Sequence, residues 1–308
     1  MSRRVHVLVK SLLLVVAVLV LAAAIVPQAR LAMVWAAGRC QGCSLHDALA
    51  SHALLVNMAR AGEEIGAASK VIETDPHGFE LVETPMGRYW TVPHDRFLKY
   101  TLGEEKLEIY DGDEVAVKSG DVVLDCGANV GVFTRTALNR GARLVVAIEP
   151  APATVVCLRR NFEKEIADGR VMVVPKGVWD HTDVLDLAEA GDGDTTGDSF
   201  VLGQDAKSHK VKVPLTTIDI LAGELNLPRV DFIKMDIEGA EKQALRGGTE
   251  TIRKFHPRMA IASEHLPDDV VAIPKVVNAI SKDYTIRSSS CKDDFFQIKP
   301  EVLLFQPK

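Results

Sequence analysis

The chain has 308 residues, of which 47% are hydrophobic, 25% charged and 6% aromatic. This composition is ordinary for a globular protein and argues against a disordered, collagenous or coiled-coil chain. The formal net charge is −6, but residues 1–39 carry five basic and no acidic groups, so residues 40–308 carry 31 basic and 42 acidic groups. Because nucleic acids are bound through positive fields, this balance argues against DNA or RNA as a partner.

An apolar run near the N-terminus predicts a membrane anchor. The twenty residues 7–26 are apolar except for Lys10 and Ser11. A helix of this length spans ~30 Å, which is the thickness of the hydrocarbon core of a bilayer. We therefore expect residues 1–32 to form the N-terminal transmembrane helix of a single-pass membrane protein. A cleaved signal peptide and a buried core helix are the alternatives.

The five cysteines are too few and too scattered to predict a disulfide framework. Cys40 and Cys43 are close in sequence, whereas Cys126, Cys157 and Cys291 are far apart. A local bond between Cys40 and Cys43, or none at all, is expected. No second pair at zinc-site spacing accompanies them, so no structural metal is predicted.

The segment after the apolar run is predicted to be an accessory region. Residues 33–78 read as a helical linker, because apolar side chains recur every three or four positions over 44–70 and Ser44 can cap the helix. Residues 79–118 read as an N-terminal extension, in which alternating apolar positions over 79–92 predict a hairpin.

From residue 119 to residue 308 the pattern becomes a regular alternation of strands and helices. Short apolar runs predict strands at 121–126, 143–149, 170–174, 230–236 and 258–263, each but the third followed closely by a helical pattern. Two last strands, at 284–287 and 302–306, have no helix between them. This order predicts a doubly wound α/β domain with a mostly parallel sheet and an antiparallel terminal hairpin.

The first strand of this domain leads into a glycine turn. Its end reads Asp-Cys-Gly-Ala-Asn-Val-Gly over 125–131, and Glu149 closes the next strand. Glycines at such a turn let the backbone approach a ligand, and a carboxylate at the second strand end can accept both hydroxyls of a ribose. This combination predicts a nucleoside ligand.

Several ligands of this type are excluded by the details of the turn. Asn129 stands where the dinucleotide fingerprint requires glycine, and the chain has no phosphate-binding loop with Gly-Lys-Ser or Gly-Lys-Thr. S-adenosylmethionine remains as the expected cofactor, since it lacks phosphate and its cationic sulfonium suits an acidic domain.

The sequence also resembles a known family. The segments VVLDCGANVGVFT (122–134), AIEP (147–150) and DFIKMDIEGAE (231–241) are similar to FkbM-type methyltransferases. The resemblance implies a class I, Rossmann-like methyltransferase fold with a seven-stranded sheet, and usually O-methylation of a hydroxyl. It also implies that the cofactor is bound by Asp125, Gly127, Ala128, Asn129, Gly131, Glu149 and Asp180.

A second acidic cluster follows the fourth strand. In an open α/β sheet the ligand crevice lies outside the carboxyl ends of the strands. That rule puts Asp236 and Glu238 beside the transferred methyl group, with His265 at the end of the neighbouring strand. We expect these three residues to be catalytic, with a carboxylate or the imidazole accepting the proton of the hydroxyl. No metal is expected.

The expected function is therefore that of a membrane-anchored, S-adenosylmethionine-dependent methyltransferase. Its acceptor would be a hydroxyl on a small molecule, a sugar or a lipid-linked compound, and nucleic acid is not expected as a partner. An NAD-dependent oxidoreductase and a non-catalytic ligand-binding relative are the alternatives. The side of the membrane stays open, because the flanking charges favour an extracytoplasmic domain, whereas the methyl donor is made in the cytosol.

Overall fold

The computed structural model describes residues 26–110, 112, 115–190, 196–203, 209–294 and 297–308, together with residues 10, 11, 13 and 14. The N-terminal part contains helices α1 (Pro27–Ala36), α2 (Leu45–Ala68) and α3 (Leu98–Lys106) and strands β1 (Lys70–Thr74), β2 (Glu80–Thr84) and β3 (Gly87–Thr91).

The strands of the main domain are β4 (Val122–Cys126), β5 (Leu144–Ile148), β6 (Val171–Val174), β7 (Gly177–Val178), β8 (Val184–Glu189), β9 (His209–Thr216), β10 (Phe232–Met235), β11 (Arg258–Ala262), β12 (Tyr284–Asp294) and β13 (Gln297–Pro307). Its helices are α4 (Val132–Asn139), α5 (Pro152–Asn161), α6 (Glu163–Ala167), α7 (Ile218–Glu224), α8 (Glu241–Arg246), α9 (Thr249–Phe255) and α10 (Asp269–Ile280).

Seven strands form one mixed sheet in the order β12-β13-β11-β10-β4-β5-β6. The pairs from β11 to β6 are parallel, whereas β13 runs antiparallel to both β11 and β12. The order reverses direction at β4, because the chain first builds outward through β5 and β6 and then returns to β10 on the other side. That reversal creates the crevice in which open α/β sheets bind ligands.

The central strands are continuous apolar runs because helices cover both faces of the sheet. Every residue of β4, β10 and β11 is buried. One face packs against α7, α8, α9 and α10, and the other against α4 and the segment around Ile109 and Tyr110. The charged residues Asp125 and Lys234 therefore stand out within these strands, since charged side chains are rarely buried without a partner.

A small sheet is inserted between β6 and α7. Its order is β7-β9-β8, with β7 and β9 parallel and β8 and β9 antiparallel. Phe200 and Leu187 help to pack it against the main domain.

The accessory region packs onto the main domain. Ser44 caps α2 as predicted, in a capping box with Asp47, and α2 contacts α3 and β12. Strands β1, β2 and β3 form an antiparallel meander. Its last strand is tied to α5, because the Trp90 amide donates to the Asn161 side chain at 2.6 Å.

A disulfide links Cys43 to Cys291, residues 248 positions apart in the sequence. The expectation of a local bond between Cys40 and Cys43 is therefore wrong. The fold brings the start of α2 against β12, and Cys40 remains a free thiol. Its sulfur lies 3.5 Å from the carbonyl oxygen of Cys43.

The predicted single-pass membrane anchor is also corrected. In the part of the chain that the structure describes, there is no helix with the length and apolar character needed to span a bilayer. Helix α1 has 10 residues and spans only ~15 Å. It packs on the domain, where Leu31 is fully buried and Arg30 donates to Asp293 at 2.8 Å. Most of the predicted span, at residues 1–9, 12 and 15–25, lies outside the described residues.

Candidate active site

A cleft of about 390 Å³ lies at the carboxyl ends of the central strands β4, β5, β10 and β11. Seven of the predicted site residues line it, namely Gly127, Ala128, Asn129, Glu149, Asp236, Glu238 and His265. Asp125 and Gly131 lie behind this lining, and Asp180 lies elsewhere. The cleft volume is within the range of small-molecule sites.

The turn after β4 needs glycine for steric reasons. Gly127 has a φ of +77°, and a Cβ atom built there would lie 1.9 Å from the carbonyl oxygen of Asp236. Gly131, with a φ of +94°, begins α4 and faces the Phe162 ring, which a Cβ would meet at 2.2 Å. Gly127 therefore lets two strand ends approach each other at the cleft, whereas Gly131 serves helix packing.

Lys234 organises the floor of the cleft. Its ammonium donates to the carbonyl oxygen of Gly127 at 2.9 Å and lies 3.7 Å from Asp125 Oδ1 and 3.8 Å from Asp236 Oδ2. Asp125 also accepts from the Thr134 hydroxyl at 2.6 Å. Burial raises the pKa of Asp125, although the Lys234 charge opposes this shift. Burial alone would lower the pKa of Lys234, but the nearby carboxylates raise it. The ammonium thus holds the glycine turn and two strand ends together.

Glu149 is buried at the end of β5 and holds the backbone around it. Its carboxylate accepts from the amides of Asn129 and Ala151, both at 2.9 Å. Burial raises the pKa of Glu149 to about 7, against the opposing effect of these two amides. Each carboxylate oxygen can accept a second hydrogen bond. Glu149 can therefore bind ligand hydroxyls from the cleft while it keeps the turn in shape.

The second predicted cluster is assembled around His265. Its Nε2 lies 3.5 Å from Asp236 Oδ1 and 3.4 Å from Glu238 Oε1, and its Nδ1 lies 3.1 Å from Glu241 Oε1. Burial alone would lower the pKa of His265, but the hydrogen bonds to Glu238 and Glu241 raise it to about 12. These contacts therefore favour the cationic form of the imidazole at neutral pH.

The two cleft carboxylates differ in basicity. Burial alone would raise the pKa of Asp236, but the charges of Lys234 and His265 lower it. The Tyr110 hydroxyl, which donates to Asp236 Oδ2 at 2.9 Å, lowers it further. Burial instead raises the pKa of Glu238. Glu238 is thus the stronger base of the pair, and Asp236 is a fixed anion.

The backbone of Glu238 is held in an unusual conformation. Its φ is +52°, a region that residues other than glycine seldom adopt. The Ser199 hydroxyl donates to the Glu238 carbonyl oxygen at 2.7 Å, and Glu241 accepts from the amides of Ile237 and Gly239. Strained backbone of this kind persists where the surrounding contacts fix it, often at functional sites.

Asp236, Glu241 and His265 each offer one ligand atom, and the three atoms lie within 4.8 Å of one another. Such a set has the spacing that a divalent cation requires. The same atoms are also joined by hydrogen bonds, since Glu241 Oε1 faces His265 and two backbone amides. The sequence-based expectation of no metal stays a prediction.

Asp180 does not reach the cleft. Its carboxylate pairs with the neighbouring His181 at the start of the β7–β8 connection. Strand β7 belongs to the inserted sheet, and its last residue, Val178, lines the cleft, whereas Asp180 lies two residues further on and is not part of the lining.

Lys234, Tyr110 and Glu104 are among the cleft residues that were not predicted from the sequence. The signal for Lys234 was present, because a lysine within the apolar strand FIKM is expensive to bury without anionic partners. Tyr110 and Glu104 lie before the glycine turn, in and just after α3, and only the packing of α3 over the strand ends brings them to the cleft.

A seven-stranded mixed sheet in this order, with a glycine turn after its central strand and acids at the next strand ends, is a methyltransferase-like α/β fold. Residues 125–287 match the model of the methyltransferase FkbM domain. The chain therefore belongs to the FkbM methyltransferase family.

Two curated proteins are similar to parts of the chain. Methyltransferase 1 of Beauveria bassiana is 29% identical over 145 residues, which cover 41% of this chain and 57% of that protein. The AMB antimetabolite synthetase AmbE of Pseudomonas aeruginosa is 26% identical over 250 residues, which cover 66% of this chain and 11% of the synthetase. The chain thus spans little more than half of the first relative and a small part of the second.

A solved structure from the same family is also similar. The crystal structure of methyltransferase FkbM from Methylobacillus flagellatus aligns with a TM-score of 0.44 at 18% identity and covers 83% of this chain and 60% of that one. A precorrin-6y C5,15-methyltransferase from Geobacter metallireducens aligns with a TM-score of 0.37 at 14% identity, over 63% of this chain and 84% of that one.

Proposed function

We propose that the protein is an S-adenosylmethionine-dependent methyltransferase that methylates a hydroxyl of a small molecule, a sugar or a lipid-linked acceptor. One observation carries the proposal. The glycine turn, the buried Glu149 and the Asp236–Glu238 pair line one cleft at the carboxyl ends of the parallel strands. The family and the fold imply S-adenosylmethionine as the donor in general terms.

The residues of the cleft fit this cofactor. Glu149 would accept the ribose hydroxyls, and the backbone from Gly127 to Asn129 would lie along the methionine end. Among the described lining residues, seven are carboxylic acids, while the cations are Lys234 and His265. Such a lining favours a ligand with a positive sulfonium and an ammonium group.

The same charge distribution disfavours the alternative of an NAD-dependent oxidoreductase. A dinucleotide carries a pyrophosphate, which requires backbone amides or cations at the glycine turn. Here the amide of Asn129 already donates to Glu149, and the Lys234 ammonium faces Asp125, Asp236 and the Gly127 carbonyl. A pyrophosphate would meet carboxylates at this place.

When bound, S-adenosylmethionine supplies an electrophilic methyl group. The chain's own residues bind and orient the acceptor hydroxyl and take its proton. Glu238 is proposed as the proton acceptor, because it lines the cleft and its raised pKa makes it the stronger base. Asp236, held by Tyr110 and Lys234, would fix the direction of the hydroxyl, and the His265 cation would keep both carboxylates in place.

Calorimetric titration of the full chain with S-adenosylmethionine and with NAD tests the cofactor assignment. We expect saturable binding of S-adenosylmethionine with one site per chain and no binding of NAD. The matched control for cleft variants is Glu163→Gln, which removes one exposed acid on α6. Binding of NAD without binding of S-adenosylmethionine would overturn the proposal.

Turnover with labelled methyl donor and extracted hydroxyl acceptors tests the catalytic assignment. Glu238→Gln should lower kcat by ~10²–10⁴-fold and leave the Kd of the cofactor close to that of the wild type. A chain that binds the cofactor but labels none of the acceptors would instead favour the non-catalytic relative.

A further inference from the structure

We propose that the acceptor is an amino alcohol, such as an amino sugar, whose ammonium group is bound by Glu104 while its hydroxyl lies at Asp236 and Glu238. This inference rests on the proposed function and adds the charge of the acceptor to it. It arises from the wall of the cleft that helix α3 provides, which lies outside the residues 125–287 that match the family model.

Helix α3 contributes one wall of the cleft. Phe97, Tyr100, Thr101 and Glu104 from this helix and its N-cap line the cleft. The Glu104 carboxylate is close enough to Asp236 and Glu264 for their charges to act on its pKa. The apolar side of α3 packs through Leu98 and Leu102 beside Val130 and Val132, which follow the glycine turn. We call the part of the cleft lined by Glu104, Asp236 and Glu238 the acceptor half.

The position of α3 is fixed by close packing. A Cβ atom on Gly103 would lie 3.0 Å from the backbone nitrogen of Gly62 in α2, so the two helices are in direct backbone contact. At its start, the Asp95 carboxylate accepts from the amides of Phe97 and Leu98 at 2.8 and 3.1 Å. The Glu104 side chain is thus presented to the cleft by a rigid element.

The other carboxylates near Glu104 already have partners. Lys292 pairs with Glu264, and the Ser290 hydroxyl donates to Glu301 at 3.0 Å. Asp236 is held by Tyr110, as described above. Within the described residues, the Glu104 carboxylate has no hydrogen bond or ion pair, and the charge of Lys234 reaches it only from a longer distance. Among the described residues of the acceptor half, Glu104 is therefore the carboxylate without a hydrogen bond or ion pair.

The surroundings of Glu104 favour a cation over a neutral or anionic group. Burial, followed by the charges of Asp236, Glu301 and Glu264, raises the pKa of Glu104 to about 8. A ligand ammonium would restore the carboxylate and bind it through a charge-assisted hydrogen bond. The Phe97 ring, which lines the cleft, offers an apolar surface that a cation can also approach. A phosphate or carboxylate on the acceptor would be repelled by the same groups.

The test is the binding of a matched pair of probes, glucosamine and N-acetylglucosamine, which differ at the nitrogen but have the same hydroxyls. The full chain is titrated at pH 7 with each probe, with and without S-adenosylhomocysteine, and binding is followed by ligand-observed NMR and calorimetry. We expect glucosamine to bind at least tenfold more tightly, because one charge-assisted bond is worth about that factor or more.

Variants assign the preference to Glu104. In Glu104→Gln the preference for glucosamine should disappear, whereas Glu104→Asp should retain part of it and the control Glu163→Gln all of it. Calorimetry in buffers with different ionisation enthalpies should show proton release that accompanies glucosamine binding to the wild type and is absent in Glu104→Gln. A merely structural role of Glu104 would not produce this change.

Three results would overturn the proposal: equal or tighter binding of N-acetylglucosamine, no binding of either probe, or an unchanged preference in Glu104→Gln. Binding of S-adenosylhomocysteine, measured in the same titrations, is a separate readout. A chain that binds S-adenosylhomocysteine but does not prefer the amine refutes only this inference, whereas a chain that binds no S-adenosylhomocysteine refutes the proposed function.

Discussion

Replacing Lys234 with methionine should destabilise the domain strongly, although the two side chains have a similar length. The ammonium lies 3.7 Å from Asp125 Oδ1 and 3.8 Å from Asp236 Oδ2, and the Lys234 side chain is only 7% exposed. Removing one partner of a buried ion pair costs about 3–5 kcal/mol, because the remaining charge is left without compensation. For a domain of this size we expect a decrease in Tm of about 6–20 °C.

The matched control is Lys212→Met. Lys212 pairs with Asp186 at 3.2 Å, but its side chain is 75% exposed, and exposed pairs contribute less than ~1 kcal/mol. Urea denaturation followed by circular dichroism at pH 7 measures the free energy of unfolding of both variants.

The dependence on pH gives a second check. Burial already raises the pKa of Asp125 and Lys234 opposes the shift, so without Lys234 this pKa rises further above its unfolded value and the folded variant binds more protons than the unfolded chain. The free energy of unfolding of the variant, relative to Lys212→Met, should therefore increase as the pH falls from 7 to 5. A Lys234→Met variant within 1 kcal/mol of the control, or a deficit that grows on acidification, would refute the role of the ammonium as counter-charge.

Further substitutions test individual contacts. Gly127→Ala should prevent stable folding, because its Cβ would lie 1.9 Å from the carbonyl oxygen of Asp236, just past β10. The control Gly120→Ala is also at positive φ but has open space around it, so it should lower Tm by only a few degrees. Equal melting curves of the two variants would contradict the steric argument. Glu149→Gln should weaken S-adenosylmethionine binding at least tenfold. The folded pKa of Glu149, about 7, exceeds its unfolded value, so the wild type should lose stability as the pH rises from about 5 to 7, and the variant should not. A variant with wild-type affinity and pH profile would exclude the ribose contact. Non-reducing peptide mapping should find Cys43 linked to Cys291. Reduction of this bond should lower the free energy of unfolding by ~2–5 kcal/mol, because the bond closes a long loop. A Cys43 thiol that is free or linked elsewhere would contradict this pairing.

The central strands were predictable because burial on both faces leaves a clear trace in the sequence. The strands at Val122–Cys126, Phe232–Met235 and Arg258–Ala262 lie within the apolar runs that predicted them. Strand β1 was missed, and all five of its residues are exposed. Without a buried face, it has no apolar periodicity that separates it from the preceding helix.

The candidate site likewise contains residues that the sequence could place at the cleft and residues that it could not. The position of Gly127, Glu149 and Asp236 at the cleft could be predicted from the sequence, because each lies at the end of a predicted strand and strand ends of a parallel sheet meet at one edge. Glu104 could not, since nothing in its neighbourhood of the sequence says that α3 crosses this edge. The reason why position 127 requires glycine could not be predicted from the sequence either. A larger side chain there would clash with the backbone near Asp236, not with the ligand. A larger side chain there is expected to disturb folding as well as binding.

The disulfide and the role of His265 depend on contacts that only the fold creates. Cys43 and Cys291 are 248 residues apart, and no local pattern indicates their pairing. His265 follows a strand as predicted, but three carboxylates surround its ring. Their hydrogen bonds and charges favour the cationic imidazole, and the catalytic role of His265 stays a prediction.

The measurement that tests the central claim most directly is hydrogen–deuterium exchange of the full chain with and without S-adenosylhomocysteine. If the cleft binds the cofactor, peptides that cover residues 125–132 and 147–151 should exchange more slowly in its presence. Peptides of the meander, residues 70–91, should exchange at the same rate in both samples, since these strands lie outside the cleft lining. Saturating binding that protects the meander and leaves the glycine turn and the Glu149 segment unchanged would contradict the account.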